Sequence, residues 1–134
     1  MKEVQAAIRL REKLGVEGKE AEEISRKAKR MFSMTLTDGA ISSLLFAYSK
    51  AKNENVKKLV EGDYEKYREM SKEEEREWAL IVAFLVKEAL SNISADGDLV
   101  NLLKKLSDGK VRVKAERAML RYLKALGKVL EAYS

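Results

Sequence analysis

Six cations near the C-terminus are spaced so that they can act together. Lys110, Lys114, Arg117, Arg121, Lys124 and Lys128 recur at steps of 4, 3, 4, 3 and 4. On a helix this spacing places them on one face, over about 27 Å at 1.5 Å per residue. Such a row can follow a nucleic-acid backbone: each phosphate neutralised releases counterions, so binding falls with salt. The same ridge could meet an acidic protein partner, and helical lysines and arginines most often simply occupy a solvated face. Arg26, Lys29 and Arg30 form a second basic cluster, which extends the first if their two helices lie side by side.

The acidic groups suggest little chemistry of their own. Asp38 could serve as a catalytic carboxylate only beside a second carboxylate or a metal, and helical spacing supplies neither; capping a helix is its simpler role. Glu73, Glu74, Glu75 and Glu77 have no Glu-x-x-His or calcium-loop spacing. Their mutual repulsion favours an exposed face or a basic partner, which makes them candidates for a subunit interface. Tyr122 and Tyr133 fall on the packed arc of the last helix, whereas Tyr64 and Tyr67 are the more plausible exposed aromatics. Trp78, Phe32, Phe46 and Tyr48 read as packing residues.

Composition narrows the classes further. The 134 residues contain no histidine, cysteine or proline. The commonest neutral-pH acid–base group, thiolate chemistry and disulfides are therefore missing, and so is the strongest helix breaker. There is no glycine-rich phosphate loop, HExxH or zinc spacing. The expectation is a non-catalytic protein with no metal, cofactor or small-molecule substrate. No apolar run reaches the about 18 residues of a membrane span, and the charged N-terminus lacks signal-peptide character, so a cytoplasmic protein without a membrane partner is expected. Hydrophobic residues make up 46% of the chain, enough for one domain to bury about two thirds of its unfolded surface. The mixture of Lys, Arg and Glu fits an archaeal or thermophilic source. Charge is unevenly placed: Lys104–Ser134 carries +6, Asp63–Glu77 carries −3, and the whole chain +5.

The elements that must position these groups are helical. Periodicity predicts an all-α bundle of about five to seven helices. A first helix spans residues 2 to 14 and ends at Gly15 and Gly18. A second runs from Lys19 to Met34, with Ala21, Ile24, Ala28 and Met31 inward. Thr35 or Thr37, with Asp38, then caps a third from about Asp38 to Lys52. The apolar stretch Thr35–Lys52 is expected to be the central helix around which the others pack. Short helices follow around Val56–Val60 and Tyr64–Tyr67. Ser71 and Glu74 form a capping box for a helix over 72 to 92 with a broad apolar stripe. Asp98 or Asp96 caps a short helix through Leu106, Asp108-Gly109 is an interhelix turn, and the last helix spans Val111 to Tyr133.

Two stretches resemble a known family, the small all-helical subunit of the type III-B CRISPR effector, the Cmr RNA-targeting complex. The first is RKAKRMFSMTLTDGAISSLLFAYSKA, Arg26 to Ala51. Its pattern is a basic helix, a short turn where Asp38-Gly39 stands at an Asn-Gly, and a Leu/Ala/Phe-rich helix with Lys50 at the closing lysine. The second is AERAMLRYLKAL, Ala115 to Leu126. Here Tyr122 stands where the family often has tryptophan, and Ala125 where a second basic residue is common. The similarity covers most of the chain after about Ala21. The resemblance implies a non-catalytic subunit of an antiviral ribonucleoprotein, stacked in copies of itself beside other subunits. Its basic surfaces, Lys50 included, would contact the backbone of guide and target RNA, while pairing supplies specificity. The Asp63–Glu77 stretch would then meet a neighbour's basic surface. On that expectation, reversing the charge of Glu74 and Glu75 weakens assembly in sedimentation measurements; unchanged assembly refutes it.

Overall fold

The computed structural model describes residues 1–62 and 64–134, and among these it holds seven α-helices and no strand. α1 is Lys2–Leu14, α2 Gly18–Ala51, α3 Asn53–Val60, α4 Tyr64–Glu69, α5 Glu73–Phe84, α6 Leu99–Leu106 and α7 Gly109–Ala132. A π-helical turn, Leu85–Ala89, continues α5 and closes with the Leu90 amide donating to the Leu85 carbonyl at 2.9 Å. Asp63, which opens the acidic stretch, lies outside the described residues.

The centre of the bundle is α5 rather than the Thr35–Lys52 segment. Ten consecutive residues, Glu77 to Val86, are buried. A helix covered at every position around its circumference needs neighbours on all sides. α2 and α3 pack directly on α5, and α7 packs on the π-helical turn that prolongs it. The Thr35–Lys52 segment is one-sided. Ala40, Ser43, Leu44, Ala47, Tyr48 and Ala51 form its buried stripe, while Leu36 is 61% and Leu45 44% exposed. Its alanines and leucines raised the apolar content without closing the circle.

α2 contains the two expected helices, but they meet later than the sequence suggests. Thr35 and Thr37 do not cap the second half. Their hydroxyls donate backwards, to the carbonyls of Met31 at 2.8 Å and Ser33 at 3.0 Å. Both are back-bonds within a helix that runs on through Asp38. The break falls at Gly39, with φ 88° and ψ 173°, a backbone conformation that glycine alone adopts without strain. Asp38 is not the cap either. The Ala40 amide, left without an intrahelical partner, donates to the Glu116 carboxylate of α7 at 2.9 Å.

Near the other end of the α2–α7 contact, the Ser25 hydroxyl donates to the Gly127 carbonyl at 2.7 Å. A side chain at Gly127 would meet the Lys29 stem. The two contacts, Ser25 with Gly127 and Gly39 with Glu116, fix α2 and α7 as an antiparallel pair.

The remaining starts and stops follow local chemistry. α1 ends at Gly15 in the left-handed conformation, with φ 64°. Asp98 caps α6 by accepting from the Asn101 amide, and Asp108 caps α7 by accepting from the Lys110 and Val111 amides. The Ser71 capping box does not form: α5 begins at Glu73 with Lys72 at its N-cap, one residue later than the box requires. Glu73, Glu74 and Glu75 instead place negative charge in the first turn, where it complements the helix dipole.

The Gly39–Glu116 contact generates a prediction. A Cβ at Gly39 would sit 3.0 Å from the Glu116 carboxylate at an unfavourable φ, so Gly39→Ala should cost about 1–3 kcal/mol. Glu116→Ala should cost about 1 kcal/mol as a lost cap. Because both act at one contact, the double variant should lose less than the sum. Urea unfolding measures all three, and a neutral Gly39→Ala would refute the strained junction.

Candidate nucleic-acid interface

The six ridge cations of α7 are all exposed, as their spacing requires. They do not form one uniform surface. Lys114, Arg117 and Arg121 line a groove of about 780 Å³ along one side of α7. Its opposite wall is built from the chain that leaves the π-helical turn, including Ser91 and Asn92, and Lys2 and Lys105 complete the lining. The groove thus holds five cations and one carboxylate, Glu88, which lies 4.0 Å from Arg9. Lys110, Lys124 and Lys128 lie outside it.

Each wall has a physical cause. The cations of α7 face outward because Ala115, Met119, Tyr122, Leu126 and Leu130 fill the buried arc of the same helix. The π-helical turn winds wider than an α-helix and ends in the turn at residues 91–93, which brings Ser91 and Asn92 to the rim. Arg121 also holds the N-terminal helix, since its Nε donates to Glu3 at 3.2 Å. That guanidinium and the adjacent backbone hydrogen bonding hold the Glu3 carboxyl below its usual range. On the groove floor Tyr122 is buried and packs edge-to-face on Phe84, with ring centroids 5.9 Å apart, and burial pushes its phenol up. It is a packing residue, as its position predicts.

The second basic cluster does lie beside α7, but its charges are engaged. Arg26 pairs with Glu22 and Glu23 on its own helix. Lys29 pairs with Glu131 at 3.0 Å. Glu131 is 17 residues beyond Lys114, or about 25 Å along α7, so Lys29 belongs to the far end of that helix. Arg30 stacks over Phe46 at 4.8 Å. Lys50 lies 3.8 Å from Glu74 and 5.6 Å from the Phe46 ring. None of these four lines the groove.

The acidic candidates divide as well. Glu73 and Glu74 face solvent. Glu75 is half-buried and accepts from the Asn55 amide at 3.0 Å. Glu77 is only 4% exposed and accepts from Lys27 at 2.9 Å, so it cannot be part of an exposed interface. The glutamate run starts α5, and by its fifth residue the helix has entered the core.

The tyrosine assignments are partly reversed. Tyr67 is fully buried, and its hydroxyl donates to Glu20 at 2.7 Å. Burial and that carboxylate both push the phenol up. Tyr133 is 39% exposed, under the Arg11 guanidinium at 3.8 Å from its ring centroid.

Lys2, Lys105, Ser91 and Asn92 were not singled out from the sequence. Periodicity says which face of a helix is apolar, but not which helix end will stand opposite α7. Lys105 contributes to the C-terminal charge excess, the only signal that included it. Among the described residues no cluster of three or more acidic groups could hold a metal ion, and no helix is long and apolar enough to cross a membrane. No protein-family model, curated protein or solved structure matches the chain.

Glu77 generates a pH prediction. Burial pushes its carboxyl above the ordinary 4.5, against the pull of Lys27. The folded state therefore favours the protonated form. The stability this gives is fully present below 4.5 and is lost as pH rises through the folded value. Between about pH 4 and pH 7 the stability of wild type should fall relative to Glu77→Gln, whose other carboxylates titrate alike. Parallel unfolding free energies across that range would refute it.

Proposed function

We propose that this chain is a non-catalytic RNA-contacting subunit of a ribonucleoprotein, of the type III-B CRISPR small-subunit kind that its sequence resembles. The observation that carries the binding role is the α7 groove, where five cations, Arg121 among them paired with Glu3, stand with one lining carboxylate, Glu88, that has a basic neighbour. On α2, by contrast, Arg26 and Lys29 are paired with carboxylates. A groove with uncompensated positive charge attracts a polyanion and concentrates its field between low-dielectric walls.

The groove suits a phosphate backbone in particular. Arg117 presents a planar fork that matches phosphate oxygens, and Lys2, Lys105 and Lys114 act as point charges beside it, while the Nε of Arg121 is engaged by Glu3. Ser91 and Asn92 add neutral donors and acceptors on the facing wall, suited to a ribose hydroxyl or a phosphate oxygen. Tyr122 is buried and unavailable for stacking on a base, so the groove reads backbone rather than sequence. Specificity would come from guide–target pairing. Other copies of the chain and other subunits would be its protein partners in the cytoplasm.

Fluorescence anisotropy with single-stranded RNA and with a guide–target duplex tests this reading. Lys105→Glu, Lys114→Glu and Arg117→Glu should together abolish binding at moderate salt. Any residual single-strand binding should show a salt slope smaller by about 2, since each lost phosphate contact removes about 0.7. Lys124→Glu with Lys128→Glu, outside the groove, should weaken binding far less. Equal affinity of the groove triple and wild type, or no binding by wild type at about 50 mM salt, would overturn the proposal.

A further inference from the structure

A second concavity lies where α1, α3, α4 and α5 meet, separate from the α7 groove except for Glu88, which borders both. It holds about 100 Å³. Leu10 of α1, Leu59 of α3, and Leu80 and Phe84 of α5 form its floor. The space exists because two of the facing residues, Ala6 and Ala83, carry only methyl groups.

Its rim is basic. Arg9, Lys13 and Lys87 stand around the mouth with Tyr64 and Glu88. Arg9 and Glu88 lie 4.0 Å apart. Lys13 and Lys87 form no ion pair among the described residues. Each ammonium lies 5.1 Å from the centre of the Tyr64 ring, and Lys87 also donates to the Tyr64 hydroxyl at 2.8 Å. A phenol and a ring face hold these ammonium groups in place without neutralising them. Lys87 is half-buried in a protein where Lys27, at similar exposure, has a carboxylate at 2.9 Å.

From this juxtaposition we infer that the pocket is an anchor site for an acidic protein segment, which inserts one branched aliphatic side chain and lays its carboxylates on Lys13 and Lys87. The volume, about 100 Å³, suits one leucine-sized side chain. The two unmatched ammonium groups select acidic flanks over basic or neutral ones. A polypeptide, rather than a free small acid, is favoured because one aliphatic group buries little surface. A chain running past the mouth also gathers the charges on its rim. The floor distinguishes this site from the RNA groove, because a phosphate backbone has nothing to place in an apolar hole.

The test is an NMR titration of the ¹⁵N-labelled chain with an N-acetylated peptide of one leucine flanked on both sides by glutamates. Chemical-shift changes should centre on Ala6, Leu10, Tyr64 and Ala83. The same peptide with serine for leucine should bind at least tenfold more weakly, as should Lys13→Glu with Lys87→Glu against the original peptide. Both lysine substitutions lie at the rim and leave the core intact, so they report even if the pocket-filling variant Ala83→Leu fails to fold. When folded, Ala83→Leu should lose the leucine preference. Equal affinity for the serine peptide would reduce the site to charge alone and overturn the inference. So would shifts centred on Lys114 and Arg117, or isovalerate binding as tightly as the peptide. The RNA titration is read on different residues, so either proposal can fail without the other.

Discussion

The structure depends on one constraint, that α5 has no face left for water. From Glu77 to Val86 the helix must be covered all round. A single partner helix covers only an arc of about 100° or somewhat more, so several elements must converge on it. α2 supplies the longest wall, α3 a second, and α7 closes over the π-helical continuation. Trp78, in its second turn, packs edge-to-face on Phe46 at 5.5 Å. Once these helices are fixed around α5, the outward face of α7 has only one orientation. The position of the basic groove thus follows from the packing of the core.

Charge is distributed with the same economy. Around Glu20 the structure spends its ion pairs on holding helices together. That carboxylate accepts from Tyr67 and Arg68 and lies 3.5 Å from Arg76, joining α2 to α4 and α5. Arg68 also donates to the Leu14 carbonyl and ties in the end of α1. Lys27 with Glu77 adds a largely buried pair. Such pairs stabilise little beyond their desolvation cost, but breaking one leaves an uncompensated charge inside. The α7 groove is built the other way, with its cations mostly kept apart from carboxylates. The contrast is between a neutralised seam and a groove in which Arg121, with Glu3, is the one lining cation in an ion pair among the described residues.

Much of the fold was legible because most helices announce themselves. α1 had a short apolar stripe ended by Gly15, α7 carried strong periodicity, and of the two candidate caps for α6 it is Asp98 that accepts; Asp108, read only as part of a turn, proved to be the cap of α7. The α7 ridge followed directly from spacing. What failed did so for local or long-range reasons. Thr35 and Thr37 could either accept from the amides that follow, as caps, or donate to the carbonyls behind; they donate backward, and the junction lies at Gly39. The Ala40 partner, Glu116, lies 76 positions away, and no local pattern could supply it. Glu77 looked like the end of an exposed acidic run, because sequence shows the run but not the depth at which the helix enters the core. Tyr67 is polar enough to suggest a surface role, and only the carboxylate brought from α2 makes its burial affordable. The groove was half legible: α7 contributed its predicted face, while the facing wall depends on where a turn ends.

That wall carries a consequence about chain length. A π-helical turn closes each hydrogen bond over five residues instead of four. It therefore holds one residue more than an α-helix winding over the same axial distance. Removing one residue between Leu85 and Ala89 would let this turn close as ordinary α-helix with Ser91 and Asn92 close to their present phase, whereas one added residue that no bulge absorbs would shift that phase by about 100°. The phase of the groove's outer wall is therefore set by a count of residues and not by the identity of any one of them. An added residue would therefore change one side of the groove without altering any side chain that lines it.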